Sequence, residues 1–298
     1  MSVAITYPAP VKAQSALPLL IIAFGGALTG FSGILVRLSE AGPVATGAWR
    51  LLIAALALFP FMQMRDSDAG VGIRASGWMV MVLAGLFFAI DTGFYNWSLT
   101  LTSVAHATLI VNLAPMVALA AGVSLFGERF GPAKALALLA ALSGAALMTA
   151  TRIDGGGTLT GDGLAFLAMI GYALYLVAVK HARRDHDTLA IMVRSSAVGA
   201  VAMFIAAALI GEHLLPSTAY GWGVLIALGF VAHVFGQGLV AFGMREAPVG
   251  LASILVLTQP LVATIAAWVI FSEAMGPVET AGAGLILAGL VVASLARR

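Results

Sequence analysis

The sequence predicts an all-α membrane protein of ten transmembrane helices, arranged as two inverted five-helix repeats. Three observations indicate this fold class: the composition, ten apolar runs of spanning length, and two stretches with the same residues at one offset. Of the 298 residues, 61% are hydrophobic and only 9% are charged, whereas a soluble domain carries about 25% charged residues. So little polar surface cannot cover a water-soluble globule of this size.

The apolar runs follow one another along the whole chain. A bilayer core of about 30 Å needs about 20 apolar residues as helix. Such runs, here named spans 1 to 10 in chain order, are predicted over residues 17–36, 44–63, 78–99, 104–126, 135–150, 163–179, 189–211, 222–244, 248–271 and 281–296. Residues 1–16 precede them as a cytoplasmic N-terminal tail. The glycine-rich stretch 151–162 is predicted as a linker between a first repeat, 17–150, and a second repeat, 163–296.

Two segments 145 residues apart share several residues at matching positions. The segment Leu125–Pro132 reads LFGERFGP, and Ile270–Pro277 reads IFSEAMGP. Five residue pairs keep this offset: Pro115 with Pro260, Glu128 with Glu273, Pro132 with Pro277, Gly144 with Gly289, and Arg152 with Arg297. The pattern indicates a tandem duplication. Because five spans is an odd number, the second repeat starts on the opposite side of the membrane and the repeats are inverted.

The distribution of basic residues predicts the orientation. With the N-terminus in the cytoplasm, the outer segments hold only Arg37 and Arg152. The inner segments then hold eleven basic residues: Lys12, Arg65, Arg74, Arg129, Lys134, Lys180, Arg183, Arg184, Arg245, Arg297 and Arg298. Cytoplasmic loops of membrane proteins carry an excess of Lys and Arg. We therefore expect both termini in the cytoplasm of a cell whose inner membrane the chain spans.

These motifs resemble those of the drug/metabolite transporter superfamily, in particular its ten-helix EamA-type members. The shared marks are Ala48-Trp49-Arg50, Phe126-Gly127-Glu128 and Gly131-Pro132 in the first repeat, and Arg194, Phe271-Ser272-Glu273 and Gly276-Pro277 in the second. The one departure is Ser272, where the first repeat has Gly127. The resemblance implies a fold of two five-helix repeats and movement of metabolites or drugs by alternating access. It does not fix the substrate.

The function that follows is a secondary transporter, an exporter of small organic metabolites or drug-like compounds across the inner membrane. The chain contains no G-x-x-x-x-G-K-[ST] loop for ATP. The alternatives are a polytopic membrane enzyme, for which the sequence offers no catalytic motif, and a channel. Cysteine is absent, and we expect no catalytic residue, no metal site and no cofactor. The expected partners are a small-molecule substrate and the lipid bilayer, without nucleic acid. The oligomeric state is open, and a monomer suffices.

Asp91 is the leading candidate for the substrate site. It lies in an otherwise uncharged span, and Tyr95 follows four residues later on the same helix face. Adding 145 to Thr92 gives Gln237 in span 8, one turn after His233. Polar groups thus occur at matched depth in both repeats, and inverted-repeat transporters bind substrate near the midplane. The alternative is that Asp91 is a structural acid, hydrogen-bonded or paired with a basic group.

Further candidates lie beside the prolines of spans 4 and 9 and in span 6. Asn112 precedes Pro115, Gln259 precedes Pro260, and a proline frees a carbonyl one turn back, as in the wall of a substrate site. The alternative is a curved packing helix whose side-chain amides bond to neighbouring backbones. Tyr172 has a hydroxyl that needs a partner. Asp91, Arg50 and Arg194 are also the candidates for coupling or gating, with membrane anchoring as the alternative for the two arginines. Glu128 and Glu273 are predicted to accept N–H bonds from the start of the next helix.

Overall fold

The computed structural model describes residues 16–69, 75–102, 104–150, 158–271 and 276–295, and this part of the chain is helical without strands. Spans 2, 3, 5, 6, 7 and 10 are single helices: Pro43–Ala69, Ala75–Ser98, Pro132–Ala150, Leu159–Ala182, Thr188–Leu209 and Pro277–Leu295. Six helical stretches are long and apolar enough to cross a bilayer by length and composition. The predicted all-α membrane fold is confirmed.

The other four spans are built from consecutive helical segments. Span 1 comprises Leu17–Thr29 and Ser32–Arg37, and span 4 comprises Val104–Val111 and Ala114–Phe126. Span 8 comprises Ala219–Ala227, the π-helix Leu228–Gln237 and Gly238–Gly243, and span 9 comprises Val249–Val256 and Thr258–Phe271. In spans 4 and 9 the interruption stands just before Pro115 and Pro260, because a proline cannot donate the backbone hydrogen bond that would continue the first segment.

Span 6 begins earlier than the sequence indicated. Its first helical residue is Leu159, within the stretch 151–162 that was predicted as a linker, and this assignment was wrong for residues 159–162. The physical reason is a cap at Thr158, whose hydroxyl oxygen accepts the N–H of Gly161. A threonine in this position satisfies one of the free donors at a helix start.

The two repeats pack as an approximate two-fold axis requires. Spans 2, 4 and 5 contact their own counterparts, spans 7, 9 and 10. Span 3 packs against span 6, and the counterpart pair, span 8 and span 1, packs in the same way. Contacts of this self-complementary kind are the signature of a two-fold relation. With five spans in each repeat, this relation agrees with the predicted inverted repeat.

Spans 5 and 10 give the closest test of this symmetry. A Cβ at Gly144 would lie 2.5 Å from Gly282 O and 2.7 Å from Ile286 N. A Cβ at Gly289 would lie 2.8 Å from Ala137 O and 2.9 Å from Ala141 N. Every one of these six positions maps onto another at the offset of 145. The duplicated glycines therefore allow the two helix backbones to touch reciprocally.

Carboxylates tie the repeats together at the outer face, the face that the basic-residue count assigns to the outside. Glu40, before span 2, accepts the N–H groups of Ser217 and Thr218 and the Thr218 hydroxyl at the start of span 8. Glu212, before span 8, accepts the N–H groups of Val44 and Ala45 at the start of span 2. Each carboxylate thus caps a helix of the other repeat, where the free N–H groups and the helix dipole favour an anion.

Glu128 has the same role at the inner face. Its carboxylate accepts the N–H groups of Val249 and Gly250, at the start of span 9. The prediction that Glu128 caps the next helix was wrong, because the turn after span 4 lies against the other repeat. Glu273 lies outside the described residues.

The packing of spans 5 and 10 predicts the effect of adding one methyl group. Gly144→Ala should lower stability by about 1–3 kcal/mol, because the new Cβ meets rigid backbone atoms. Gly284→Ala in span 10 is the matched control, since a Cβ there meets nothing within 4 Å. Thermal unfolding in detergent measures both. Equal melting temperatures for the two variants would contradict the reciprocal contact.

The outer carboxylates predict a dependence on pH. The hydrogen bond from the Thr218 hydroxyl, followed by the N–H groups of Thr218 and Ser217, lowers the pKa of Glu40. A lowered pKa contributes stability that is present above the unfolded pKa and is lost as the pH falls through the folded pKa. The melting temperature of wild type should exceed that of Glu40→Gln at neutral pH, and this gap should close below about pH 4. A gap that stays constant down to about pH 3 would contradict the assignment.

Candidate functional site

Arg50 stands at the centre of a buried cluster that joins four spans. Its side chain is only 6% exposed. The guanidinium donates to the Ser32 hydroxyl at 2.9 Å and to the carbonyl of Ala232 at 3.3 Å. It also lies 5.4 Å from the centre of the Phe88 ring, within range of a cation–π contact. A cation so deep in an apolar span is costly, so such residues commonly face a functional cavity or a partner.

Asp91 lies beside this cluster, nearer the outer end of span 3 than its inner end. It stands seven residues before Ser98, the end of the helix, or about 10 Å along the axis. The charges of Asp91 and Arg50 act on each other, but they form no hydrogen-bonded pair among the described residues. Asp91 is partly exposed, although the span's lipid-facing stripe runs elsewhere, along Leu83, Leu86 and Ile90.

The helix face that carries Asp91 points to the interior. Asp91 and Tyr95 follow Phe88 by three and seven residues and therefore share its face. The Phe88 ring is 3% exposed and lies 4.6 Å from the Tyr175 ring and 5.1 Å from the His233 ring. Asp91 therefore lies on the interior face of span 3 and is partly exposed there. On the same face, the Tyr95 hydroxyl lies 3.0 Å from that of Thr108 in span 4.

Three predicted residues meet on the other side of the cluster. The hydroxyl of Tyr172 faces the side-chain amides of Gln237 and Gln259, but none of these contacts has the geometry of a full hydrogen bond. The Tyr172 ring stacks on Tyr175 with centroids 6.1 Å apart. Spans 6, 8 and 9 thus each contribute a polar group to one place.

Several of the predicted residues carry buried polar atoms without a partner. Among the described residues these include Asn112 Nδ2, Tyr172 Oη, His233 Nδ1 and Gln237 Oε1. A buried polar group that lacks a hydrogen bond costs about 1–3 kcal/mol. Native proteins retain such groups where water or a ligand completes them. Four of the seven residues predicted to line the substrate site therefore present unused hydrogen-bonding capacity.

The π-helix in span 8 positions His233 and Gln237. A Cβ at Gly85 in span 3 would meet Ser195 O and Val198, and a Cβ at Gly229 in span 8 would meet Arg50 O and Ile53. Arg50 and Ile53 correspond to Ser195 and Val198 at the offset of 145. Gly85 and Gly229, which meet these equivalent residues, therefore correspond to each other, but at an offset of 144. The span ends, Ser98 and Gly243, differ by 145 again. One extra residue therefore lies between Gly229 and Gly243, where π-turns commonly accommodate it near functional sites.

The same contacts correct the pairing of the two arginines. The counterpart of Arg50 is Ser195 and not Arg194, because Arg50 O and Ser195 O meet equivalent glycines. The guanidinium of Arg194 lies 5.8 Å from the centre of the Trp78 ring. Trp78 precedes Phe88 by ten residues on span 3, about 15 Å along the axis. Arg194 therefore lies towards the end of span 3 that carries Trp78, away from Arg50.

Two serines belong to the cluster although the sequence did not single them out. Ser196 is 2% exposed, and its hydroxyl lies 2.9 Å from His233 Nε2. Ser32 accepts a hydrogen bond from Arg50. Serine is common in membrane helices, and only the break at Gly30–Phe31 in span 1 marks the neighbourhood of Ser32.

The arrangement can bind and orient a small polar solute. It offers a carboxylate, a fixed guanidinium, amides, hydroxyls and an imidazole on spans of both repeats, with aromatic rings between them. In the part of the chain that the structure describes, no three His, Cys, Asp or Glu side chains group as metal ligands. The side chains present can form hydrogen bonds, pair charges and exchange protons.

Comparison with known proteins agrees with the fold and the repeat. The chain matches the EamA-like transporter family twice, over residues 16–150 and 159–295. A protein of Archaeoglobus fulgidus named as an uncharacterized transporter is 28% identical over 275 residues, covering 91% of this chain and 94% of its own. The uncharacterized transporter YwfM of Bacillus subtilis is 27% identical over 284 residues, covering 94% and 93%.

A solved crystal structure has the same fold. It superposes with a TM-score of 0.78 at 23% identity and covers 94% of this chain and 98% of its own. At that identity the likeness concerns the fold alone. The two family matches cover both repeats and leave between them only residues 151–158. The chain belongs to the EamA-like transporter family and is a multi-pass membrane transporter.

Proposed function

We propose that this protein is a secondary transporter that exports small organic metabolites or drug-like compounds across the inner membrane by alternating access. The observation that carries the proposal is the central cluster, where unpartnered polar atoms of both repeats lie among buried aromatic rings. Such groups need a ligand or water. Inverted repeats place substrate at the interface between the two halves, near the middle of the membrane.

The pairing of the repeats supports alternating access. Two halves that contact each other through equivalent surfaces can rock about a central site, and the mirrored motion opens the other face. The interruptions before Pro115 and Pro260 support the same mechanism, because broken helices expose backbone carbonyls only where they line a cavity. The two relatives bear the name transporter, which accords with this proposal.

In this proposal Asp91 lines the substrate path. It is the partly exposed acid of the central cluster, and no described side chain hydrogen-bonds to its carboxylate. A carboxylate in this position can take up a coupling proton or accept a polar or cationic group of the substrate. Arg50, fixed by Ser32 and Ala232, supplies the compensating charge. The remaining predicted residues contribute neutral hydrogen-bonding groups.

Flux into liposomes tests the proposal. Purified protein is first screened by thermal shift against amino acids, nucleosides, vitamins and cationic dyes. A stabilising compound is then followed, as a radiolabelled solute, across the membrane. A carrier gives saturable uptake that is accelerated by unlabelled solute on the other side. Ohmic current without counterflow would replace the carrier with a channel.

Asp91→Asn tests the role of the carboxylate, because it keeps the size and fixes the group neutral. If Asp91 carries a proton, the variant should retain counterflow and lose gradient-driven accumulation with its pH dependence. If Asp91 contacts substrate, affinity should fall by about 10-fold or more for cationic solutes and stay unchanged for neutral ones. Asp187→Asn is the matched control, since asparagine also caps the start of span 7. Wild-type activity of Asp91→Asn from about pH 5 to pH 9 would make Asp91 a structural acid.

A further inference from the structure

The two ends of span 6 hold loops that are equivalent between the repeats. At the outer end, the Thr158 hydroxyl donates to the carbonyl of Leu101, and the Thr102 hydroxyl donates to Asp162 at 2.8 Å. These bonds hold the loop between spans 3 and 4. At the inner end, Lys180 holds the loop between spans 8 and 9. One helix thus contacts both loops, on opposite faces of the membrane.

The inner loop is held by two charged groups. Lys180 Nζ donates to three carbonyls that follow span 8, those of Met244 at 2.9 Å, Arg245 at 3.4 Å and Ala247 at 2.6 Å. From the other repeat, Glu128 accepts the N–H groups at the start of span 9. We name Lys180 and Glu128 the inner clamp. Hydrogen bonds to charged groups are the stronger ones, and here they satisfy backbone groups at two helix ends.

The residue of the first repeat that corresponds to Lys180 at the offset of 145 is Leu35, which has no ammonium group. The contacts described at the outer loop come from the hydroxyls of Thr102 and Thr158 and from Asp162. The pseudo-symmetry therefore fails at this residue pair, and the bonds of Lys180 have no counterpart at Leu35.

We infer that the inner clamp keeps the cytoplasmic end of the substrate path closed in this conformation, and that its release accompanies opening to the inside. This inference rests on the proposed alternating access. The clamp holds spans 8 and 9, which carry His233, Gln237 and Gln259 of the central cluster. Movement of these two spans relative to span 6 would break the bonds of Lys180, and their movement relative to the first repeat would break those of Glu128. Lys180 and Glu128 are positioning residues, because neither belongs to the cluster itself.

The sequence contains no cysteine, so a thiol reagent labels only a cysteine that is introduced by substitution. Thr108→Cys reports the outer path, and Ser253→Cys reports the inner path. The two positions are equivalent at the offset of 145, and each is the fifth residue of its helix. Thr108 contacts Tyr95 beside the central cluster. Labelling of each single cysteine by a maleimide, in the full-length protein in liposomes, measures water access from that side.

Lys180→Met keeps an unbranched side chain and removes the three donors. It should raise the labelling rate at Ser253→Cys about tenfold and lower the rate at Thr108→Cys, because the two open states exclude each other. Lys134→Met on the same face is the matched control, since Lys134 donates only within its own turn, to the carbonyl of Arg129 at 2.8 Å. Glu128→Gln should act as Lys180→Met does, with Glu246→Gln on the inner loop as its control.

The outcomes separate the clamp from the transport mechanism. Thr102→Val, which removes an outer bond, should shift the two labelling rates in the opposite sense to Lys180→Met. If Thr102→Val shifts them reciprocally and neither Lys180→Met nor Glu128→Gln does, the inner clamp is refuted and alternating access stands. If both rates rise together in Lys180→Met and Glu128→Gln, the loop only stabilises the fold and the inference fails. If no variant moves the rates in opposite directions, alternating access itself fails.

Discussion

The close approach of the two repeats is the constraint on which the structure depends. Hydrophobic attraction does little between helices in lipid, so association relies on van der Waals packing and interhelical hydrogen bonds. Gly144 and Gly289 provide the packing, with each backbone against the equivalent one. Gly85 and Gly229 do the same where span 3 meets span 7 and span 8 meets span 2. A polar cluster between the repeats can be held in register only because these contacts fix the relative position of the two halves.

Carboxylates complete the association at both faces. Glu40, Glu212 and Glu128 each accept backbone N–H groups at the start of a helix in the other repeat. A helix start carries unsatisfied donors and partial positive charge, so an anion from elsewhere satisfies both. These bonds lie at the loops, where the proposed opening and closing would occur, whereas the glycine contacts lie within the helices. The hydrogen bonds at the two faces are therefore separate from the packing that holds the repeats together.

Much of the fold could be predicted from the sequence, and much of the site could not. The apolar runs predicted ten spans, and the duplicated prolines and glycines predicted two repeats. The partner of Glu128 was predicted wrongly, because a pattern along the chain does not reveal contacts across repeats. The predicted equivalence of Arg50 and Arg194 was wrong by one residue, because a match between two residue types in the sequence does not determine which helix face each residue occupies. Ser32 and Ser196 gave no signal, because serine is ordinary in membrane helices.

The two repeats differ in residues and helix type at the candidate substrate site. A strictly two-fold site would present identical groups from both halves and could match only a symmetric ligand. Here Arg50 corresponds to Ser195, and span 8 has a π-helix where span 3 has a regular helix. The extra residue widens span 8 beside Ala232, whose carbonyl accepts a bond from Arg50, and it places His233 and Gln237 in the cluster. In the proposed mechanism, duplication supplies the frame that can reverse its access, and local departures from duplication supply distinct polar groups for an asymmetric substrate.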